Sequence, residues 1–87
     1  MGLNELIKKG ETFYNQVQSS EFGGDYIKGE DYEQWITEVA IHMEKESLPS
    51  VIKNRLDKTL ENAVGNGAEY LETILGILKA VNKNGNK

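Results

Sequence analysis

The sequence predicts an all-α fold: a compact bundle of four amphipathic helices, largely antiparallel, with a loop of about ten residues between the first and second helices. Apolar residues recur three and four apart in four separate stretches, which is the spacing of one helix face. Strong breakers divide these stretches: three glycines within 19–29, the Leu48-Pro49 pair, and Gly65-Asn66-Gly67. The last two breaks are short, so the helices they join must turn back on one another, and each stripe must be buried against the others.

The first stripe, Leu3, Leu6, Ile7, Phe13, Tyr14 and Val17, predicts a helix over 3–18. Gly10 falls inside it. Glycine in a helix interior is destabilising by about 1 kcal/mol relative to alanine, so Gly10 is expected either to admit a close neighbouring backbone, the favoured alternative, or to weaken the helix locally. Residues 19–29 lose the period, yet Phe22, Tyr26 and Ile27 are too apolar for a free linker. The loop is therefore expected to fold back over one end of the core, with a short extended piece at Tyr26-Ile27. Its Gly23-Gly24 pair lacks the Lys-Ser/Thr signature of a phosphate loop.

The second helix is expected over 30–46, with Tyr32, Trp35, Ile36, Val39, Ala40 and Met43 inward. Glu30, Asp31 and Glu33 complement the positive end of its dipole. Pro49 forces a break because the residue before a proline avoids the helical region, and a third helix begins there, over 49–64. Its buried face is expected to carry Ile52, Leu56, Leu60 and Ala63 or Val64, with Ser47 or Ser50 as its cap. Gly65 suits a left-handed helix end, and Asn66 with Glu69 has the spacing of a capping box. The fourth helix carries Tyr70, Leu71, Ile74, Leu75, Leu78 and Val81 to Asn82, leaving 83–87 as a disordered tail or linker stub on a single domain of residues 1–82.

Composition narrows the function. With 87 residues, 38% of them hydrophobic and 28% charged, the chain is one globular domain and lies outside the composition of disordered proteins. No cysteine is present, so neither disulfides nor thiolate metal sites arise. A formal charge of −4 disfavours nucleic acid as a partner, because such affinity comes largely from cations displacing phosphate counterions. No apolar run approaches the roughly 18 residues of a membrane span, and the N-terminus lacks a signal-peptide profile, so a cytoplasmic protein is expected. Charge is unevenly distributed: 29–47 carries six acids against Lys45, whereas 48–64 carries Lys53, Arg55 and Lys58 against Asp57 and Glu61.

Glu38, His42 and Glu46 lie four residues apart on one helix face and could present two carboxylates and an imidazole to zinc for metal-dependent hydrolysis. The alternative is a solvated face on which His42 pairs with Glu38 or Glu46. The alternative fits better, because the two-histidine helical motif is missing. No catalytic, cofactor-binding or metal-binding residue is therefore assigned. The aromatics Phe13, Tyr14, Tyr32, Trp35 and Tyr70 are expected to be core, with the Trp35 N–H turned toward solvent or a backbone carbonyl. Apolar residues off the main stripes are the better guide to a binding surface, and with the acids beside them they form the candidate protein-binding set Glu38, Ile41, Glu44, Val51 and Ile77.

Three segments carry a family resemblance: Leu3-x-x-Leu6-Ile7-x-x-Gly10-Glu11, Tyr26-Ile27-x-Gly29-Glu30-x-Tyr32-x-x-Trp35, and Leu71-x-x-Ile74-Leu75-Gly76-Ile77-Leu78-Lys79-Ala80. Together they resemble the helical N-terminal region of certain multidomain bacterial proteins, many attached to predicted phage-defence or mobile-element functions, where it precedes an effector domain. The shared motifs are apolar and structural, and no catalytic residue comes with them. The resemblance implies a non-catalytic protein-protein interaction or scaffolding module that binds itself or a partner. No effector follows Lys87 here, which is expected of an excised domain or of a free-standing version acting through a partner. A small phage- or plasmid-encoded inhibitor or immunity protein is the alternative.

Overall fold

The indole of Trp35 lies at the centre of the molecule, fully buried, and its Nε1–H donates to the carbonyl of Leu6 at 2.9 Å. The structure, a computed structural model, describes residues 2–19, 25–27, 29–64 and 67–85. Four helices make up almost all of it: α1 (Leu3–Thr12), α2 (Glu30–Glu44), α3 (Ser50–Asn62) and α4 (Ala68–Gly85). A 3-10 turn (Phe13–Gln16) follows α1, and the strands β1 (Gln18–Ser19) and β2 (Asp25–Tyr26) pair antiparallel, Gln18 opposite Tyr26. The all-α expectation holds, with this minimal ladder as its only sheet among the described residues.

α4 packs along both α1 and α3, whereas α2 packs mainly on α1 and touches α3 lightly. The core follows from that layout. Leu6, Ile7 and Phe13 meet Tyr32, Trp35, Val39 and Met43 of α2 and Leu71, Ile74, Leu75 and Leu78 of α4, with Leu56 and Ala63 closing the α3 side. Phe13, Tyr32 and Trp35 form an aromatic cluster: Phe13 meets Tyr32 edge-on at 5.1 Å between centroids, and Tyr32 stacks on Trp35 at 6.0 Å. Such contacts add to the burial of large apolar area.

Gly10 is explained by the same cluster. An ideal Cβ there would come 2.8 Å from Leu75 Cδ2 and nearer still to Trp35 Cζ2, so only glycine lets the indole and the α4 leucine seat together against α1. Gly29 has a different role: at φ 131° it adopts a conformation that side chains resist, and its carbonyl accepts the Glu33 N–H at 3.0 Å to open α2. Ile27, just before it, is fully buried. Ile27 thus joins the core as its apolar character implied, and the extended piece falls at Asp25–Tyr26 rather than Tyr26-Ile27, while Phe22 and the Gly23-Gly24 pair lie outside the described residues.

Several boundaries differ from the sequence reading. The predicted 3–18 helix stops being α-helical at Thr12, whose hydroxyl donates to the Lys9 carbonyl at 2.6 Å; the chain tightens to 3-10 geometry and becomes extended at Val17. That change of pitch leaves Phe13 buried but turns Tyr14 out to 40% exposure. α2 ends at Glu44 rather than 46, because the Lys45 and Glu46 N–H groups reach back three residues to the His42 and Met43 carbonyls. α3 is not capped by Ser47 or Ser50. The extended Pro49 presents its carbonyl to the Ile52 and Lys53 N–H groups, both at 3.0 Å, and the helix runs from Ser50 to Asn62. Ile52 is exposed rather than buried, as is Ala40 on α2, since α3 touches α2 only lightly; of the alternatives Ala63 and Val64, Ala63 is the buried one. Thr59 takes a buried position instead, its hydroxyl satisfied by the Arg55 carbonyl at 2.7 Å. α4 continues three residues past Asn82 to Gly85, so residues 83–85 are helix rather than tail. The Asn84 side-chain amide supports this extension by donating to the Ala80 carbonyl at 2.8 Å. The expected end and cap at Gly65 and Asn66 lie outside the described residues.

Two stability predictions follow from the aromatic cluster. Gly10→Ala should lower stability in urea or thermal unfolding by about 1–3 kcal/mol, through overpacking, where alanine at an ordinary helix position is stabilising. A G10A protein as stable as the parent would mean that the indole is not seated there. Tyr32 is 1% exposed, its hydroxyl has no partner among the described residues, and burial pushes its pKa up to about 12. In the unfolded chain the phenol ionises near its ordinary 10.0, so the unfolded state loses the proton first and stability falls as pH rises from about 10 through about 12. Tyr32→Phe should leave neutral-pH stability equal or higher and remove about 2–3 kcal/mol of that alkaline loss in urea titrations.

Candidate functional site

Where α3 leaves α2 behind, the α3–α4 hairpin exposes an apolar face, and an open groove of about 810 Å³ runs along it. The linker after α2 closes one end through Leu48 and Pro49, α3 contributes Ile52 and Arg55, and α4 contributes Glu72, Thr73, Gly76, Ile77, Ala80, Val81 and Asn84. Local sequence explains each wall. Pro49 fixes the start of α3 so that Ile52 falls one turn in, on the side away from the core. On α4, residues 74, 75 and 78 face the core, so 73, 76, 77 and 80 turn toward the other flank. Ile77, Val81 and Leu48 are half-buried against the core and form an apolar floor, whereas Gly76 and Ala80 are exposed and keep the α4 wall low.

The groove's charges lie on both walls. Arg55 of α3 and Glu72 of α4 both line it, and among the described residues neither makes an ion pair within the chain. Glu46 lies at the α2 end. On the far side of α4, Lys79 pairs with Glu11 at 3.2 Å, an exposed bridge that ties α1 to α4 and contributes little to stability. Burial, and then Glu72, raise the pKa of Tyr14, which lies among these charges.

The five residues singled out in the sequence do not converge. Ile77 is in the groove, and Val51, 73% exposed, stands beside Ile52 at the start of α3. Glu44 borders a smaller recess of about 260 Å³ with Ala40, Leu48 and Lys53, while Ile41, 57% exposed, lines neither. Glu38 is half-buried on α2: one carboxylate oxygen accepts from the Gln34 amide at 3.1 Å, and the other is buried without a partner among the described residues. The sequence reading missed Leu48, Ile52, Gly76, Ala80 and Val81 as groove residues. The available signal was Gly76, a mid-helix glycine of the same kind as Gly10.

The Glu38, His42 and Glu46 face does not assemble into a ligand set. His42 Nε2 stands 3.8 Å from Glu46 Oε1, an ion pair when the imidazole is protonated, while Glu38 engages Gln34. Among the described residues, no group of three His, Cys, Asp or Glu side chains is placed to hold a metal ion, and no helix is long and apolar enough to cross a membrane. Comparison with family models, curated proteins and solved structures finds no match to this chain.

Proposed function

We propose that this chain is a non-catalytic helical interaction module of a bacterial cytoplasmic assembly, and that it binds protein through the α3–α4 groove. The observation that supports this reading is the groove itself: an apolar floor of Leu48, Ile77 and Val81 on rigid helices, edged by charge. A lining of this kind suits the apolar face of a helix, whose side chains at three- and four-residue spacing fill the floor while polar groups meet the rim. Ile52 in the groove wall and its exposed chain neighbour Val51 add apolar surface that does not serve the core. The acids of α2 would then bias the choice of partner through the field around Glu46 rather than supply the main contact.

Site-specific photocrosslinking in cells tests this reading. A photoreactive residue at Val51 or Ala80 should form adducts with protein, a second copy included, whereas the same residue at exposed Lys8 or Glu33 on the opposite elements should not. Ala80→Glu should abolish the adducts formed from position 51 while leaving thermal stability within about 0.5 kcal/mol of the parent, as expected of an exposed site. Adducts of equal yield from all four positions, or from none, would contradict the reading.

A further inference from the structure

We propose that the occupant of the groove is a second copy of this chain, docked by a two-fold axis that runs along the α3–α4 hairpin; this rests on the groove being a protein-binding surface. Three observations support this occupant. The first is Gly76, which lies inside α4 and is exposed, and an ideal Cβ built on it meets nothing within 4 Å. Glycine is a poor helix-interior residue, and at Gly10 the indole of Trp35 explains it, but nothing within the chain explains Gly76. A second helix crossing α4 at this point uses the missing side chain, because its backbone can approach closely over Gly76 with Ala80 one turn on.

The second observation is charge. Arg55 and Glu72 line the same groove from opposite walls without pairing to each other. Rotation about an axis parallel to the hairpin lays α3 of one copy over α4 of the other and keeps each residue at its own height along the helices. Each Arg55 then faces Glu72 of the second copy, so one arrangement satisfies both charges twice. The third is the apolar lining, in which Ile52 of the α3 wall and the floor residues Ile77 and Val81 of α4 would meet their counterparts across a two-fold interface. The product is a four-helix layer, α3 and α4 of one copy on α3 and α4 of the other, in which the apolar face left bare in the single chain is covered.

Sedimentation velocity on the full chain over a concentration series, with circular dichroism to verify folding, tests this with charge reversals at the two exposed residues. The parent should sediment as a dimer in the micromolar range. Arg55→Glu and Glu72→Arg, each placing two like-charge contacts in the dimer, should each weaken association by about tenfold or more, and the double variant R55E/E72R should return to within about threefold of the parent. Gly76→Leu should raise the melting temperature of the monomer and weaken the dimer. A parent that stays monomeric to about 200 μM, a concentration far above micromolar affinity, would overturn the inference, as would a dimer indifferent to every one of these changes. If that monomer still crosslinks to a different protein from Val51 or Ala80, the second copy is excluded as the occupant while the groove's role in binding stands.

Discussion

The structure depends on the seating of one indole ring against one glycine. Trp35 lies between α1 and α4 only because Gly10 has no side chain, and its N–H finds the Leu6 carbonyl one turn earlier on the same helix. The two features reinforce each other. The hydrogen bond satisfies a polar group that burial would otherwise leave unpaired, and it fixes the ring's tilt so that Phe13 and Tyr32 can pack around it. Three helices are thereby joined at one point, and the burial of Ile27 and the opening of α2 at Gly29 follow from where α2 must lie.

The same seating accounts for the open side of the molecule. α2 is held mainly on α1 and touches α3 only lightly, so α4 is the main neighbour of α3. A hairpin with one covered face has a second face to present, and here that face carries Ile52, Ile77 and Val81. The groove on which the proposed function rests is thus a consequence of how the core is organised: the aromatic cluster takes up one side of α4, and the other is left open.

The sequence was informative wherever a residue's role depends on its own helix. The inward positions of α2 other than Ala40, the core leucines and isoleucines of α4, the break at Pro49 and the close approach at Gly10 follow from period and backbone chemistry alone. What it did not show depends on other helices. Ala40 of α2 and Ile52 of α3 have the spacing of core residues yet are exposed, because burial requires a close neighbouring helix and the contact between α2 and α3 is light. The 3-10 turn after Thr12 was hidden because a stripe through Phe13 and Tyr14 looks the same at either pitch over so few residues. The candidate site was legible only in part. Ile77 belongs to the groove and Val51 only adjoins its lining residue Ile52 in the chain, whereas Glu38, Ile41 and Glu44 sit on α2 and do not line it, because helical spacing says nothing of distances between helices.

Because the chain has a single tryptophan, the central interaction can be observed directly. The indole Nε1–H gives one resonance in a proton–nitrogen correlation spectrum, and its exchange with deuterated solvent reports whether it is held. If the hydrogen bond to Leu6 and the packing over Gly10 organise the fold, this proton should exchange only through global unfolding, with the same free energy as the slowest backbone amides of α1 and α4. Exchange orders of magnitude faster than those amides would mean that the indole opens independently of the core, and would contradict the account.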